Sequence, residues 1–294
     1  MTLLQAIVLG IVQGLTEFIP VSSTAHLVFA ARAVGLYDGI DKTLQAQQTT
    51  ATIAVVQLGT LLAVLIYFAR DILNITVAFI RDHVALLSGN RSSSAGRLSH
   101  DAWLGWLVII GSLPVAVVGL LFKKQIEGTF TKNLWVIATM MIVVAILLAI
   151  AELVSKKTRT MDQLAAGDAI AVGSAQVLAL IPGSSRSGST IMAGLFIGET
   201  RETAARFSFL LSIPAIAASG LLELKEAIHR LPPGSYGALL VAAIVSGVVG
   251  YASIWFLLRF LRTHSTGIFI GYRIVVGVLI LLLLYTGYIA AAVN

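Results

Sequence analysis

The sequence has 294 residues, 57% apolar and 12% charged, against about 45–50% and about 25% in soluble proteins, so much of its surface must face lipid. The net charge of +6 does not indicate a nucleic-acid-binding protein, because Lys and Arg fall between apolar runs instead of clustering on one face. The absence of cysteine excludes disulfides, iron–sulfur clusters and thiol catalysis.

The chain starts with a short apolar segment, Leu3–Val12, which has no basic residue before it and no small-residue cleavage site after it. We therefore expect it to be retained as structure and not removed as a signal peptide. The apolar region that it opens, about residues 3–35, is broken too early to cross a membrane, which takes about 20 apolar residues. Its interruptions are Gln13, Glu17, Pro20, the run Ser22-Ser23-Thr24, and His26.

Six later segments are long and apolar enough to span a bilayer. They are Thr52–Phe68, Trp103–Phe122, Leu134–Leu153, Ala204–Leu224, Ala238–Leu261 and Gly267–Val293. After the first of them, Ile72–Leu87 is expected to form a short interfacial helix before the long polar loop at 81–100. Between the third and the fourth, about residues 169–199, lies a second broken apolar region, interrupted at Gln176, Pro182 and the polar run 183–190. Polar backbone at membrane depth survives only where protein buries it or a wet cavity lies beside it, so both broken regions are predicted to be re-entrant helical hairpins.

The two broken regions resemble each other. The pattern Ala-Ile-x-x-Gly-x-x-Gln-x-Leu occurs at 6–15 and again at 169–178, and after a one-residue slip Ile-Pro-x-Ser-Ser occurs at 19–23 and 181–185. Each copy is followed by three spans, and because three is odd the second copy must enter from the opposite face. The sequence therefore predicts an all-α polytopic membrane protein with one membrane domain, 1–294, built as an inverted-topology repeat. The repeats are 1–154 and 168–294, each a re-entrant hairpin plus three transmembrane helices.

The orientation in the membrane follows from counting the Lys and Arg residues outside the spans. Ten lie on one face: Arg70, Arg81, Arg91, Arg97, Lys156, Lys157, Arg159, Arg201, Arg259 and Arg262. Five lie on the other: Lys123, Lys124, Lys132, Lys225 and Arg230. The positive-inside rule places the richer face in the cytoplasm, so both termini and the mouth of the first hairpin are predicted to face the periplasm.

Arg186, in the second break, is the most informative single residue. An arginine at membrane depth costs about 3 kcal/mol and needs an anionic partner. The preceding residues Gly183, Ser184 and Ser185 favour a tight turn with free backbone N–H groups, and a helix starting near Ser187 would direct its positive end to the same place. With the neighbouring hydroxyls, this arrangement suits phosphate oxygens. The alternative is that Arg186 is a purely structural partner of an acidic residue.

Glu17 is the only acidic residue that lies well inside an apolar segment and next to a break. Gln13 lies four residues earlier, on the same helix face, so the pair has oxygens for a hard cation such as Mg²⁺ or Ca²⁺. The alternative is that Glu17 only neutralises Arg186.

Ser23 and His26 share a helix face, which is the minimum for a serine nucleophile with a base. Water is the alternative nucleophile, and a lone intramembrane histidine more often hydrogen-bonds to a neighbouring helix.

These motifs resemble those of a known family. Gln13-x-x-x-Glu17 resembles the (Glu/Gln)-x-x-x-Glu motif of the bacterial undecaprenyl-diphosphatase family, the bacitracin-resistance type. The run Pro-Gly-Ser-Ser-Arg-Ser-Gly-Ser-Thr at 182–190 resembles its Pro-Gly-x-Ser-Arg-Ser-x-x-Thr motif at every defined position, and His26 stands where the family has a histidine. The similarity covers essentially the whole chain in length, span pattern and duplication. Two residues depart from the pattern: Gln13, where many members have a second glutamate, and Ala25, where glycine is usual.

The resemblance implies hydrolysis of undecaprenyl diphosphate to undecaprenyl phosphate and phosphate, which renews the lipid carrier for peptidoglycan synthesis and confers bacitracin resistance. It also implies dependence on a divalent cation, Mg²⁺ or Ca²⁺, and a site in the inner membrane that opens to the periplasm. It places Glu17, Ser23, His26, Ser185, Arg186 and Thr190 at the family's functional positions. The predicted site has Glu17, Ser23, His26 and Arg186 as catalytic residues, Gly183, Ser184, Ser185, Ser187 and Thr190 around the phosphate, and Glu17 with Gln13 as metal ligands.

Three alternatives belong to other classes. A flippase or transporter of isoprenoid phosphates would use the same inverted-repeat scaffold with broken helices. The other lipid-phosphatase superfamily needs a later histidine followed four residues on by aspartate, but His229 and His264 are followed at that distance by Pro233 and Ile268. A purely structural or bacitracin-binding membrane protein would leave the buried arginine unexplained. No nucleic-acid partner is expected, and the sequence does not indicate an oligomeric state.

Overall fold

The computed structural model describes residues 1–88, 98–122, 133–227, 231 and 234–291, and within these ranges the chain is helical with no strand. The helices are α1 (Leu3–Phe18), α2 (Ser23–Ala33), α3 (Lys42–Tyr67), α4 (Ala69–Leu87), α5 (His100–Leu121), α6 (Leu134–Val154), α7 (Ala166–Gln176), α8 (Arg186–Phe196), α9 (Arg201–Ala227), α10 (Tyr236–Leu261) and α11 (Gly267–Tyr285). Short 3₁₀ turns at Met161–Gln163 and Val177–Leu180 flank α7. The all-α prediction is confirmed.

The six predicted spans are confirmed as α3, α5, α6, α9, α10 and α11, which in the described part of the chain are the helices long and apolar enough to cross a membrane. The first is longer than predicted, because Asp41 caps it by accepting hydrogen bonds from the amides of Thr43 and Leu44. The last ends at Tyr285, eight residues before its predicted end at Val293, and Gly287 follows with a φ of +71° that a helix cannot continue. The chain is therefore a multi-pass membrane protein.

The predicted interfacial helix corresponds to α4, which has exposed apolar residues and ends beside a polar loop. It packs on α5 through Phe79 and His83, and the indole N–H of Trp106 donates to Nε2 of His83 at 3.1 Å. Residues 89–97 of the polar loop lie outside the described part of the chain.

Both broken regions form a helix, a break and a second helix. The 16 residues of α1 reach about 24 Å and the 11 residues of α8 about 16 Å, both less than the hydrocarbon thickness of about 30 Å. The two breaks, at 19–22 and 181–185, are mostly buried in the molecule, while the re-entrant insertion of the two hairpins stays a prediction.

The glycine shared by the two repeat patterns has the same task in both copies. Gly10 of α1 packs so closely on α10 that an added Cβ would lie 2.6 Å from the Ala242 carbonyl oxygen. Gly173 of α7 packs on α5 in the same way, 2.1 Å from the Gly111 carbonyl oxygen. In addition, α3 packs on α9 and α6 packs on α11. This matched packing supports the duplication, while the opposite insertion of the two halves stays a prediction.

Three described members of the larger basic group, Lys157, Arg201 and Arg262, lie around one cavity at an end of the bundle. There Arg201 pairs with Glu152, Arg262 donates to Glu202, and Arg206 donates to Asp71. Arg91, Arg97, Lys123, Lys124, Lys132, Arg230 and the side chain of Lys225 lie outside the described residues. We call this the basic end of the bundle; the mouth of the first hairpin is predicted to lie at the other end.

Candidate active site

Each break ends on a serine with left-handed backbone directly before the next helix. Ser22, before α2, has a φ of 78°, and Ser185, before α8, has a φ of 67°. The sequence comparison matched Ser22 with Ser184, and this register is wrong by one residue. The second break, at 181–185, is one residue longer than the first, at 19–22, and it contains Gly183 with a φ of 92°.

Glu17 lies at the centre of the predicted site. Its Oε1 accepts a hydrogen bond from Nη2 of Arg186 at 3.1 Å, and its Oε2 accepts from the hydroxyl of Ser23 at 2.9 Å and from Nε2 of Gln13 at 3.0 Å. Gln13 also lies 3.3 Å from the hydroxyl of Thr60 on α3. Glu17 and Gln13 are buried. Four of the predicted residues therefore meet in one hydrogen-bonded cluster, which we call the Glu17 cluster.

Beside this cluster, several buried donors are not used. Nη1 of Arg186 and the hydroxyl of Ser184 have no hydrogen-bond partner. Ser185 caps α8 by accepting from the amide of Gly188 at 3.1 Å, and its hydroxyl lies 3.2 Å from that of Ser187. The first N–H groups of α8 have no partner within the helix. Unpaired donors at a helix N-terminus next to an arginine form an anion-binding arrangement.

Thr190 and Gly183 contribute differently from the other predicted residues. The hydroxyl of Thr190 donates to the Arg186 carbonyl at 2.8 Å and lies 2.6 Å from the hydroxyl of Ser208 on α9. Thr190 therefore ties α8 to its neighbour and does not face the Glu17 cluster. Gly183 contributes only its backbone to the site. No larger residue fits at this position, because an added Cβ would lie 2.2 Å from the Ile137 carbonyl oxygen.

His26 does not join the Glu17 cluster. Its Nδ1 lies 2.7 Å from the Ser22 carbonyl oxygen, which can only accept, so this nitrogen carries the proton. Nε2 is then the basic nitrogen, and it accepts from the hydroxyl of Tyr272 at 2.6 Å, with the two rings stacked at 5.6 Å. The predicted sharing of a helix face with Ser23 holds, but the hydrogen bonds of His26 go to α11 and to its own helix start.

The functional residue that sequence reasoning missed is Arg273, in the middle of α11. It is fully buried, and it donates hydrogen bonds to carbonyl groups in both breaks and in α6. The carbonyls are those of Pro20 at 3.3 Å, Gly183 and Ser184 at 3.0 Å, Met141 at 3.1 Å and Met140 at 3.3 Å. The sequence does contain a signal for Arg273, since placing an arginine inside an apolar span costs as much free energy as placing Arg186 at membrane depth. The orientation argument used only the basic residues outside the spans and therefore passed over Arg273.

The side chains of the Glu17 cluster also limit how a divalent cation could be bound. Among the described residues, no group of three or more His, Asp or Glu side chains is placed to hold a metal. Glu17 and Gln13 supply at most one carboxylate and one amide oxygen. Mg²⁺ is commonly bound by one or two carboxylates, with substrate phosphates and waters completing its shell. The donor set therefore fits a cation that arrives with a phosphate substrate, and does not fit a closed protein cage.

The mouth of the second hairpin, at the basic end, is closed by residues with no part in the Glu17 cluster. Arg159 binds both carboxylate oxygens of Asp168 on α7 and donates to the Ile197 carbonyl at 3.2 Å. Glu199, in the turn after α8, is fully buried with both carboxylate oxygens unpaired. Burial, followed by repulsion from Asp168, raises the pKa of Glu199 to about 7.

A cavity of about 680 Å³ also opens at the basic end. Four basic and four acidic residues line it, so its formal charges balance; they are Lys157, Arg201, Arg206 and Arg262, and Asp71, Asp101, Asp162 and Glu202. None of the predicted site residues lines it. The cavity is therefore separate from the Glu17 cluster.

The helices and the cluster together define a class of protein: a multi-pass membrane protein with a buried cluster of polar and charged side chains at the breaks between its shorter helices. Comparison with known proteins makes this specific. The family model described as "Bacitracin resistance protein BacA" matches residues 6–279. The chain belongs to this family.

Curated relatives cover nearly the whole chain. The undecaprenyl-diphosphatase of Syntrophobacter fumaroxidans is 52% identical over 277 residues, which is 94% of this chain and 95% of the relative. That of Mycolicibacterium gilvum is 48% identical over 294 residues, 99% of this chain and 100% of the relative. That of Chloroherpeton thalassium is 47% identical, again over 99% of this chain and 100% of the relative.

Proposed function

We propose that the protein hydrolyses undecaprenyl diphosphate to undecaprenyl phosphate and inorganic phosphate. The observation that carries this proposal is the Glu17 cluster, in which a carboxylate, a serine hydroxyl and an arginine meet where two helices begin. The names of the full-length relatives supply the substrate. Such a reaction recycles the lipid carrier for peptidoglycan synthesis and confers resistance to bacitracin.

Phosphoryl transfer depends mainly on positioning and on stabilising negative charge on the transferred group. The free Nη1 of Arg186 and the first amides of α8 would hold the terminal phosphate. Ser23 would attack it and displace undecaprenyl phosphate, after which water would hydrolyse the phosphoserine to release inorganic phosphate. Alternatively, Ser23 would position a water that attacks the terminal phosphate and displaces undecaprenyl phosphate directly. Since Ser23 already donates to Glu17 at 2.9 Å, Glu17 is the group placed to accept its proton. His26, which binds Tyr272, is less well placed for that step.

A divalent cation, Mg²⁺ or Ca²⁺, belongs to the same proposal. Glu17 and Gln13 would hold it by oxygen. When bound, it would neutralise part of the charge on the diphosphate oxygens.

The location follows from the fold and the charges. The protein would lie in the inner membrane of a bacterial cell, with its basic end in the cytoplasm and the mouth of the first hairpin in the periplasm. The polyprenyl tail would remain among the lipid-facing apolar side chains of the spans. Only the diphosphate would enter between the two breaks.

Purified protein in detergent, given undecaprenyl diphosphate and Mg²⁺, tests this function through release of phosphate. Arg186→Ala should lose about 3 kcal/mol of transition-state stabilisation, on the order of 10²-fold in kcat/KM, as when one oxyanion donor is deleted. Arg206→Ala is the matched control, because Arg206 lies in a span but pairs with Asp71 at the basic end. A folded Arg186→Ala variant with near-normal phosphate release would contradict the proposed role.

The alternative of a flippase or transporter of isoprenoid phosphates is not favoured, since the relatives are named for a diphosphatase. The same assay separates the two functions, because phosphate release in detergent needs no second compartment. Wild-type protein that released no phosphate would contradict the proposed hydrolysis.

A further inference from the structure

We propose that in the substrate-free protein the Glu17 carboxylate occupies the place that a phosphate group of the substrate takes, so that the diphosphate must displace it. This inference rests on the proposed function, which it deepens by defining the anion seat and its internal competitor.

The seat is defined by two helix starts that meet at one carboxylate. Ser23 is the first residue of α2 and Arg186 is the first residue of α8. Ser23 binds Oε2 of Glu17 at 2.9 Å, and Arg186 binds Oε1 at 3.1 Å. Both helices have 11 residues, and helix N-termini attract negative charge. The carboxylate therefore accepts hydrogen bonds from the first residues of two helices, through a hydroxyl and a guanidinium, and an anionic ligand could use the same donors.

The carboxylate leaves this seat incompletely filled. Its two oxygens accept from Arg186, Ser23 and Gln13, while Nη1 of Arg186 and the hydroxyl of Ser184 stay buried without a partner. Buried donors without acceptors are costly and call for an explanation. A diphosphate has more oxygens than a carboxylate, and it would satisfy these donors. The unpaired donors thus indicate a larger anion than the one present in the chain.

The charges give Glu17 two opposite effects. Without ligand, it neutralises Arg186, which at this depth would otherwise be an uncompensated cation. When a diphosphate arrives alone, the carboxylate repels it and competes for Arg186. Once displaced, the carboxylate no longer pairs with Arg186, and it remains on α1 within reach of the Ser23 hydroxyl, whose proton it would accept. The two roles considered for Glu17 from the sequence, neutraliser and catalyst, become successive states of one residue.

Binding without a cation tests the competition directly. The probe is farnesyl methylenediphosphonate, which is not hydrolysed, titrated calorimetrically into full-length protein in detergent with EDTA. Glu17→Gln removes the charge but keeps the size, so it should bind the probe about tenfold more tightly than wild type. Glu17→Asp keeps the charge on a shorter side chain and should bind with an affinity near that of wild type. Glu199→Gln is the matched control, since it removes a fully buried carboxyl at the basic end, and it should bind as wild type does.

The outcomes separate this inference from the proposed function. Equal or weaker binding by Glu17→Gln in EDTA would overturn the inference, even if wild type hydrolyses the lipid normally. A gain that Glu199→Gln shares would also overturn it, because the effect would then reflect net charge alone. A second titration with Mg²⁺ should reduce or reverse the advantage of Glu17→Gln, since wild type then has a cation ligand that the variant lacks. If Glu17→Gln does not fold, the comparison is repeated in an Arg186→Lys background. There the double variant, Glu17→Gln with Arg186→Lys, should bind the probe more tightly than Arg186→Lys alone. Equal binding by these two variants would overturn the inference.

Discussion

Arg273 donates its hydrogen bonds to backbone carbonyls and not to side chains. These bonds determine the orientation of the backbone at the two breaks. A trans peptide has its C=O and N–H groups on opposite sides. Because Arg273 holds the Ser184 carbonyl, the amide N–H of Ser185 is turned away from the guanidinium. The same side chain binds Pro20 in the first break. Arg273 therefore fixes the relative position of the two breaks and the direction of the amides between Ser184 and α8.

We expect Arg273→Lys to lower kcat about 10²-fold, because a lysine cannot bridge carbonyls in three segments and small displacements at a site are costly. KM should change less, since the spans that would contact the lipid tail are unaffected. Kinetics in detergent, with thermal unfolding recorded in parallel, measures both effects. Arg206→Lys is the control, as Arg206 is another arginine within a span, and it pairs with Asp71 at the basic end. A normal kcat in Arg273→Lys would contradict the positioning role.

At the scale of elements, the two broken helices show what duplication preserved and what it did not. The glycines at 10 and 173 kept the same close packing on α10 and α5. The breaks diverged: the first has Glu17 and His26 on its flanks, and the second has an added residue at Gly183 and an arginine at 186. Arg273 binds carbonyls of both breaks, those of Gly183 and Ser184 in the second and that of Pro20 in the first. Element pairs can thus be equivalent in packing and different in chemistry.

Gly183→Ala is predicted to disrupt the second break for two reasons. Its φ of 92° is strained for any residue with a side chain, and the new Cβ would lie 2.2 Å from the Ile137 carbonyl oxygen. We expect a loss of about 2 kcal/mol or more in unfolding free energy, together with loss of phosphate release. Gly271→Ala, in α11, has nothing within 4 Å of the added Cβ. That control should keep or raise stability, by about 0.5–1 kcal/mol. Equal melting temperatures for the two variants would contradict the argument.

Much of this arrangement was predictable from the sequence. The six spans follow from run length and hydropathy, and the contacts between Glu17, Gln13, Ser23 and Arg186 follow from costly polar residues that need partners. The one-residue register error was not avoidable, since Ser22-Ser23 and Ser184-Ser185 match as letters while φ decides which serine precedes the helix. The pairing of His26 with Tyr272 depends on how α11 packs against α2, which local patterns do not specify.

For the whole molecule, the unequal ends of the bundle determine how the site is reached. The basic end has the paired residues Arg201 with Glu152 and Arg262 with Glu202, and it has the mouth of the second hairpin. The mouth of the first hairpin, close to the loop after α2, is predicted to lie at the other end. If the basic end faces the cytoplasm, substrate from the outer leaflet reaches the Glu17 cluster through the first hairpin. One experiment on the orientation of the two hairpins therefore tests both their inverted insertion and the side of the membrane from which substrate enters.

Single-cysteine variants test the orientation of the two hairpins. The chain has no cysteine of its own, so there is no background labelling. Asp38→Cys is exposed in the loop after α2, and Asp162→Cys is exposed at the mouth of the second hairpin. A membrane-impermeant maleimide should label Asp38→Cys on intact spheroplasts, but label Asp162→Cys only after the membrane is permeabilised. The reverse pattern would contradict the predicted orientation, and labelling of both sites from outside would contradict the inverted insertion. If the expected pattern is found, the two hairpins enter from opposite faces and the diphosphate is held between helix ends that approach it from both sides of the membrane.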